Sequence, residues 1–186
     1  MRLFYAVETP ELPPWDEEAA TSSNPEAPPH LTVRFLGEVD PARVPELERA
    51  GAEAVRALAP FELALDRVGA FPTESAPRIV WIGVGDGSTQ LEELHRRLDA
   101  ALEEAGVARD PRPFVAHVTW RRIRSARDRE QARRLIEDAR RPATPRSIVV
   151  GALLLRESRL GRNGALHRTV REFRLGAQPG SRPTRS

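Results

Sequence analysis

The sequence predicts an α+β fold with antiparallel sheets, and three observations support this prediction. Seven apolar segments have the length and pattern of β-strands, three others have apolar residues at helical spacing, and the two kinds alternate irregularly. Three helices are too few to cover both faces of a parallel sheet, so antiparallel pairing is favoured. The length of 186 residues, 40% of them hydrophobic, fits one compact domain of two small lobes.

The predicted strands recur along the whole chain. Their apolar residues alternate or run continuously over four to nine positions, as in half-buried or fully buried strands. They are Leu3 to Val7, Leu31 to Leu36, Phe61 to Val68, Ile79 to Val84, Val115 to Ile123, Ile148 to Leu155 and Thr169 to Leu175.

Three amphipathic helices are predicted between these strands. The first begins at Asp40-Pro41, where the aspartate can cap free amides and the proline suits the first turn, and continues to Leu58. The second runs from Ser88 to Ala105, with leucines on one stripe and Gly106 placed to end it. The third spans Asp128 to Arg140.

Two segments lack the pattern of packed structure. Six prolines within residues 10–29 leave room only for a short helix from Trp15 to Ala20. Residues 176–186 contain no large apolar residue and predict a disordered tail.

The composition excludes several kinds of chemistry. The chain has no lysine and no cysteine, so all 29 basic residues are arginines. Schiff-base and lysyl-nucleotide intermediates need a primary amine, and thiol nucleophiles, disulfides and thiolate metal sites need cysteine. None of these is available to the chain. The absence of disulfides fits a reducing compartment.

Charge is distributed very unevenly along the chain. Residues 1–93 hold seven arginines against seventeen acidic residues, whereas residues 94–186 hold twenty-two against ten. Guanidinium groups suit phosphate, so the second half favours an anionic partner such as nucleic acid; a general replacement of lysine by arginine explains the same count. The N-terminal apolar run is too short for a signal peptide and nothing approaches a membrane span, so we expect a cytoplasmic protein.

One short pattern occurs twice, as His30-Leu31-Thr32 and His117-Val118-Thr119, each at the start of a predicted strand after prolines. Alternation along a strand puts the histidine and the threonine of each copy on one face. Two such strands facing one another would bring two imidazoles and two hydroxyls into one cleft. A single copy is more often structural, but two matched copies among only four histidines favour a shared function.

This set of groups suits phosphoryl chemistry without a metal. One neutral imidazole can remove a proton from a nucleophile while a protonated one protonates the leaving oxygen, and the hydroxyls can donate hydrogen bonds to phosphate oxygens. Neither copy has the close His or carboxylate spacing of common zinc sites, so no metal is expected. His95, inside the second helix, is interpreted as a surface or helix-edge residue without a catalytic role.

The paired motifs resemble those of the 2H phosphodiesterase superfamily, specifically the bacterial and archaeal RNA 2′,3′-cyclic phosphodiesterases also called 2′-5′ RNA ligases. The resemblance covers about residues 1 to 175, which are expected to form one domain. It includes, in the family's order, the segments Arg2 to Glu8, His30 to Val39, Pro77 to Val84, Arg112 to Phe114, Leu153 to Ser158 and Phe173 to Leu175.

The resemblance implies a bilobal fold in which two pseudo-symmetric antiparallel sheets flank a central groove, with helices on the outside. It implies hydrolysis of an RNA-terminal 2′,3′-cyclic phosphate to a 2′-phosphomonoester without a cofactor, and ATP-independent 2′-5′ ligation. RNA ends of this kind, tRNA fragments among them, are the expected partners of a monomer that binds no membrane. A groove that binds RNA or a nucleotide without turnover is the alternative.

The resemblance also implies roles for individual residues. His30 and His117 are the acid and base pair, and we expect His117 to be the base that activates water and His30 to be the acid. Thr32 and Thr119 donate to the phosphate. Phe35 and Arg122, five positions after each histidine, stack on the terminal base and hold the phosphate.

Simple alternation places Phe35 and Arg122 opposite their histidines, so these roles require a twist or bulge, with core packing and a solvated arginine as the alternatives. Three departures from the family pattern are visible. Trp120 replaces an aliphatic residue that is Val33 in the first copy, residues 10–29 replace a longer helix, and His167 stands where a tyrosine is common.

Overall fold

The computed structural model describes residues 1–9, 28–138, 146–161 and 164–176, and it confirms the α+β class. A 3₁₀ turn over Pro41–Arg43 precedes the first helix. The strands are β1 (Arg2–Glu8), β2 (His30–Glu38), β3 (Phe61–Phe71), β4 (Ile79–Val84), β5 (His117–Arg122), β6 (Arg146–Val150), β7 (Ala152–Gly161) and β8 (Gly164–Arg174), and the helices are α1 (Val44–Val55), α2 (Ser88–Glu104) and α3 (Ala126–Asp138).

The strands form one eight-stranded sheet in the order β6-β3-β4-β5-β2-β1-β7-β8, and the neighbouring strands pair antiparallel. We call β5, β4, β3 and β6 the His117 half and β2, β1, β7 and β8 the His30 half. The expectation of two separate sheets is therefore wrong. The halves join where Leu31 of β2 pairs with Val118 of β5, which makes the sheet continuous across the centre.

The sheet is strongly curled. β6 and β7 lie six positions apart in the strand order, yet only Gly151 separates them along the chain. In a flat sheet those strands would be about 29 Å apart at the usual spacing, whereas two peptide units span at most about 7.6 Å. The amide of Leu175, just beyond β8, also donates to the Gly151 carbonyl at 2.9 Å. Curling the sheet into a half-barrel brings its two edges together.

The curl corrects one sequence prediction. The apolar run from Ile148 to Leu155 predicts a single strand, but Gly151 divides it. Ile148 pairs with Leu63 on β3, whereas Leu155 pairs with Tyr5 on β1 in the other half of the sheet. An apolar run shows that a segment is buried, but it does not show where the pairing partner changes.

The helices begin and end close to the predicted positions. The Asp40 side chain accepts a hydrogen bond from the amide of Ala42 at 2.9 Å, as its capping role requires. Gly106 adopts the left-handed conformation just beyond α2, with φ of 74°. The third helix begins at Ala126 rather than Asp128, because Ser125 and Asp128 exchange side-chain to backbone hydrogen bonds at its N-terminus.

The main core lies between one face of the sheet and helices α1 and α2. Alternate residues of β1 and β2 point into it together with leucines of both helices, and Tyr5 donates its hydroxyl to the Leu47 carbonyl at 2.6 Å. Gly51 of α1 allows a close approach, since a Cβ there would lie 2.5 Å from the Phe173 ring. A smaller cluster packs α3 on the His117 half. The opposite face of the sheet is thereby left for the paired motifs.

Three predictions fall outside the described residues or touch them only in part. The short helix at Trp15 to Ala20 and most of the tail at 176–186 lie in undescribed segments, and so does the predicted end of the third helix at Arg140. Among the helices that the structure describes, none combines the length and the apolar character needed to cross a membrane.

Candidate active site

The two motifs meet at the centre of the sheet. Leu31 and Val118 are paired with each other and are fully buried against the helices. Their neighbours therefore point to the other face, which we call the motif face. Because β2 and β5 run antiparallel, the two motifs are placed diagonally, with each histidine beside the other strand's threonine. This face carries His30, Thr32, His117 and Thr119 side by side.

Both histidines are held in the same way. His30 Nδ1 lies 2.9 Å from the carbonyl oxygen of Pro28, and His117 Nδ1 lies 2.7 Å from that of Val115. A carbonyl oxygen only accepts, so each Nδ1 must carry the proton and donate it. Each Nε2 is then the atom that accepts or releases a proton. Pro28 itself supplies one of these carbonyls, whereas Val115, two residues after Pro113, supplies the other.

Matched bulges bring Phe35 and Arg122 to the motif face. Between Thr32 and Arg34 the facing strand β1 advances by one residue only, so β2 contains an extra residue at Val33. The register between β5 and β4 shifts in the same way at Trp120. Each bulge reverses the alternation of the residues that follow it. The bulge that the family roles required is present in both motifs.

After the bulges, Phe35 pairs directly with Phe4, whose ring centroid lies 5.2 Å from that of His30. Phe35 is 38% exposed, which leaves its ring available on this face. Arg122 is exposed at the end of β5, where it pairs with Ile79. Core packing for Phe35 is therefore excluded.

The residue before each of these is an arginine that points to the helix side. Arg34 Nε lies 2.9 Å from Asp99 of α2, and Arg34 is 5% exposed. Arg121 contacts Asp128 of α3 at 3.2 Å. The two ion pairs occupy equivalent places in the two halves, and each ties a motif strand to a helix behind it.

Charged and aromatic groups surround His30. Its ring contacts Phe4 and also His167 of β8, whose centroid lies 4.9 Å away in an edge-to-face arrangement. Arg156 of β7, paired with Phe4, is 4% exposed and donates Nη2 to Glu8 Oε1 at 2.6 Å. Glu8 itself pairs with His30 across β1 and β2. Three further cationic or titratable groups, Glu8, Arg156 and His167, therefore lie on the side of His30 away from His117.

These surroundings disfavour the charged form of His30. Burial lowers the pKa of His30, the Pro28 carbonyl partly opposes this, and the positive charges of Arg156 and His117 lower the pKa further. The pKa of His167 is lowered to about 4. Burial is the largest cause, and the charges of His30 and Arg156 add to it. Both rings are therefore neutral at pH 7 in the free protein.

The surroundings of His117 are aromatic. Phe71 of β3 lies edge-to-face at 5.0 Å, and Trp81 of β4 lies 6.2 Å away. The Trp81 ring lies flat over Gly69 and Gly83, where a Cβ would come within 2.3 and 2.8 Å of ring atoms. Only glycines at these two positions let the indole lie against the sheet beside the histidine.

Sequence reasoning missed some of these neighbours. Arg156 and Glu8 drew no attention, although an arginine within the apolar run of β7 was a visible signal. The His95 side chain is 20% exposed, which fits the expected helix-edge position. It donates Nδ1 to the Val33 carbonyl at 3.0 Å, stacks on Phe114 at 4.1 Å and so packs behind β2. Within the described ranges no three His, Asp or Glu side chains are grouped closely enough to hold a metal.

Taken together, the motif face presents two imidazoles whose Nε2 atoms have no hydrogen-bond partner among the described residues, together with two hydroxyls and an exposed guanidinium. Such an arrangement can bind a phosphate group between the histidines and move a proton on each side of it. Because Leu31 pairs with Val118, the two histidines lie diagonally across the two central strands of the sheet.

Known proteins resemble this chain in sequence and in fold. A family model described as the 2′-5′ RNA ligase superfamily matches residues 8–162. A protein named RNA 2′,3′-cyclic phosphodiesterase from Aeropyrum pernix is 31% identical over 153 residues, covering 80% of this chain and 82% of the relative. One of the same name from Methanothermobacter thermautotrophicus is 30% identical, covering 78% of each chain.

Solved structures share the fold. A Thermus thermophilus protein has a TM-score of 0.69 at 28% identity, covering 94% of this chain and 98% of that one. E. coli LigT complexed with 3′-AMP has a TM-score of 0.65 at 25% identity, covering 95% and 98%. From the family match and these relatives, the chain belongs to the 2′-5′ RNA ligase superfamily.

Proposed function

We propose that this protein hydrolyses RNA-terminal 2′,3′-cyclic phosphates to 2′-phosphomonoesters by two-histidine general acid and base catalysis. The observation that carries the proposal is the matched anchoring of His30 and His117. Both donate Nδ1 to the carbonyl two residues earlier, and both leave Nε2 on the same face. The curated relatives named RNA 2′,3′-cyclic phosphodiesterase support this substrate class.

In the proposed reaction water attacks phosphorus and the bond from phosphorus to the 3′-oxygen breaks. One histidine accepts the proton from water, and the other donates a proton to the departing 3′-oxygen. Thr32 and Thr119 donate hydrogen bonds to the nonbridging oxygens, where negative charge accumulates. Arg122 holds the same phosphate, and Phe35 stacks on the terminal base.

The charges of the site favour one direction for these proton transfers. A base must be neutral in the free protein, and the burial of His30 beside Arg156 favours its neutral form. We therefore assign the base to His30 and the acid to His117, which reverses the direction expected from the sequence. Arg156 is the residue that sequence reasoning lacked.

The proposal also concerns the groove and the unit that acts. The two halves of the sheet form the sides of one substrate groove, and residues 1–175 act as a single domain. Since both motifs come from one chain, a monomer is sufficient for activity. RNA fragments with cyclic ends, including those of tRNA, are the proposed substrates. A 5′-hydroxyl end that replaced water as the nucleophile would give a 2′-5′ linkage without ATP.

The direct test is incubation of chelator-treated protein with a short RNA that ends in a 2′,3′-cyclic phosphate. The assay separates 2′-phosphate from 3′-phosphate product. We expect the 2′-phosphate from the wild type and its loss in both His30→Ala and His117→Ala. His95→Gln serves as the control. Because His95 lies behind the sheet, this variant should keep the activity of the wild type.

Two outcomes would contradict the proposal. RNA that binds without any conversion would indicate a binding module that uses the same groove. Conversion that persists in both histidine variants would show that other groups carry the reaction. Added RNA with a 5′-hydroxyl end distinguishes ligation, since a joined product appears only if that hydroxyl competes with water.

A further inference from the structure

Arg156 is a buried cation with unmet hydrogen-bonding capacity. It is 4% exposed, and its one hydrogen bond to a described residue joins Nη2 to Glu8. Its Nε and Nη1 atoms are buried and have no partner in the described part of the chain. Buried guanidinium donors without acceptors are costly, because the protein must remove them from water without replacement. Nε and Nη1 of Arg156 therefore need a hydrogen-bond acceptor that the described residues do not supply.

His167 adds a second unmet group at the same place. Its Nδ1 is buried without a partner among the described residues, and its ring lies 5.0 Å from that of Phe4. Arg156 and His167 belong to β7 and β8, the two strands farthest from β5 in the His30 half. The unmet donors thus gather on the side of His30 that faces away from the reacting phosphate.

We propose that Arg156, assisted by His167, binds the 5′-phosphate of the terminal nucleotide, and that Glu8 occupies this anion site until the substrate displaces it. The inference rests on the proposed function. The terminal nucleotide of an RNA carries two phosphates, the cyclic one and the phosphodiester at its 5′-oxygen. In the proposed function the cyclic phosphate lies between His30 and His117. Arg156 lies on β7, two strands away from His30 on β2, and so is placed to bind the other phosphate.

The side chains fit this exchange. An arginine fork matches phosphate in a bidentate contact, which a carboxylate placed on Nη2 alone does not complete. The Glu8 side chain is 65% exposed, so it can swing into water while Arg156, 5% exposed, stays in place. Glu8 is thus an internal competitor for the same guanidinium.

The first test measures binding and needs no turnover. Calorimetry compares a nucleoside 2′-phosphate with the corresponding 2′,5′-bisphosphate. We expect the wild type to prefer the bisphosphate by about 10- to 100-fold, the usual worth of hydrogen bonds to a charged group. Arg156→Gln should abolish that preference, because the preference compares two ligands that share the 2′-phosphate. Arg174→Gln is the matched control, because Arg174 lies in the same half but is 79% exposed.

Glu8→Gln supplies an independent test, and because the Glu8 side chain is largely exposed, its replacement should leave the fold intact. Removing the competing carboxylate should increase the preference for the bisphosphate several-fold. An unchanged or smaller preference would overturn the proposal even if Arg156→Gln failed to fold. Equal weakening of both ligands by Arg156→Gln would also overturn it.

Turnover separates this inference from the proposed function. Nucleoside 2′,3′-cyclic phosphates with and without a 5′-phosphate are compared under conditions that report kcat/KM. If both compounds are hydrolysed with equal kcat/KM, the second phosphate site is overturned and the proposed function stands. A bisphosphate preference that depends on Arg156, without hydrolysis of either compound, supports the site and overturns the function.

Discussion

The two halves of the sheet hold the same motif in different surroundings. His30 and His117 share the anchoring of Nδ1, the bulge and the ion pair to a helix behind the strand. Around His30 lie Glu8, Arg156 and His167, whereas around His117 lie Phe71 and Trp81. In the proposed reaction, the shared part places the two imidazoles on either side of one phosphate. The differing part decides which imidazole is neutral before substrate binds.

This difference teaches that a pseudo-symmetric site need not act symmetrically. A buried guanidinium near one imidazole disfavours its protonation, while aromatic rings carry no net charge. The neutral imidazole is ready to act as a base. The sequence repeat alone cannot show this, because the residues that break the symmetry lie on other strands.

The largest expected effect is a loss of turnover that is similar for the histidines of the two halves. His30→Ala and His117→Ala should each lower kcat by about 10²–10⁴, because each removes one of the two proton transfers. Steady-state kinetics on a cyclic-phosphate RNA measures this. Near-normal turnover in either variant would remove that half from the reaction.

The threonines test the symmetry at the phosphate oxygens. Thr32→Val and Thr119→Val keep the shape of the side chain and remove the hydroxyl, and each should lower kcat about 10²-fold with little change in KM. Kinetics of the two single variants compares the halves directly. A large effect in one half only would show that one hydroxyl alone contacts the phosphate.

Phe35 should affect binding more than chemistry. Phe35→Ala should raise KM about tenfold and leave kcat nearly unchanged, because stacking on a base is lost while both imidazoles remain. Phe35→Tyr, which retains the ring, is the control. A fall in kcat with KM unchanged would instead place this ring at the reacting group.

The pH dependence sharpens the comparison of charges. Burial lowers the pKa of His30 and the positive charge of Arg156 lowers it further, so Arg156→Gln should raise that pKa and move the acidic limb of the kcat/KM profile to higher pH. Phe71→Leu, on the other side of the site, should leave this limb in place. An acidic limb that does not move in Arg156→Gln would show that Arg156 does not set the protonation of the base.

The smallest effect concerns stability. The pKa of His167 is lowered from 6.5 to about 4, so between these values the unfolded chain binds a proton that the folded chain does not. The wild type therefore loses stability as the pH falls through this window, and His167→Gln should lose less. Urea unfolding at pH 7 and pH 4.5 should show a difference on the order of 1 kcal/mol, since partial exposure weakens the effect.

Much of the fold follows from local pattern. The strand from Ile79 to Val84 and the helix from Ser88 have the predicted bounds to within a residue, since alternation, a leucine stripe and Gly106 are local signals. The prediction for the run from Ile148 to Leu155 failed because continuous burial hides a change of partner. The joining of the halves into one sheet depends on the pairing of Leu31 with Val118, which no local pattern contains.

The candidate site was predictable to the same extent. The repeated motif identified the two histidines and two threonines, which the structure places on one face. Alternation alone put Phe35 and Arg122 on the wrong face, because a bulge is a property of the paired strands. The location of Arg156 beside His30 follows from long-range pairing, so the sequence alone does not reveal the difference in charge around the two histidines.

The division of roles between the halves is tested most directly with a substrate whose leaving group needs no proton. A 2′,3′-cyclic phosphate analogue with sulfur in place of the 3′-oxygen releases a thiolate, which is stable near neutral pH compared with an alkoxide. We predict that His117→Ala, lacking the acid, hydrolyses this analogue at a rate close to the wild type, while His30→Ala remains inactive. Recovery in His30→Ala instead would contradict the assignment and restore His117 as the base.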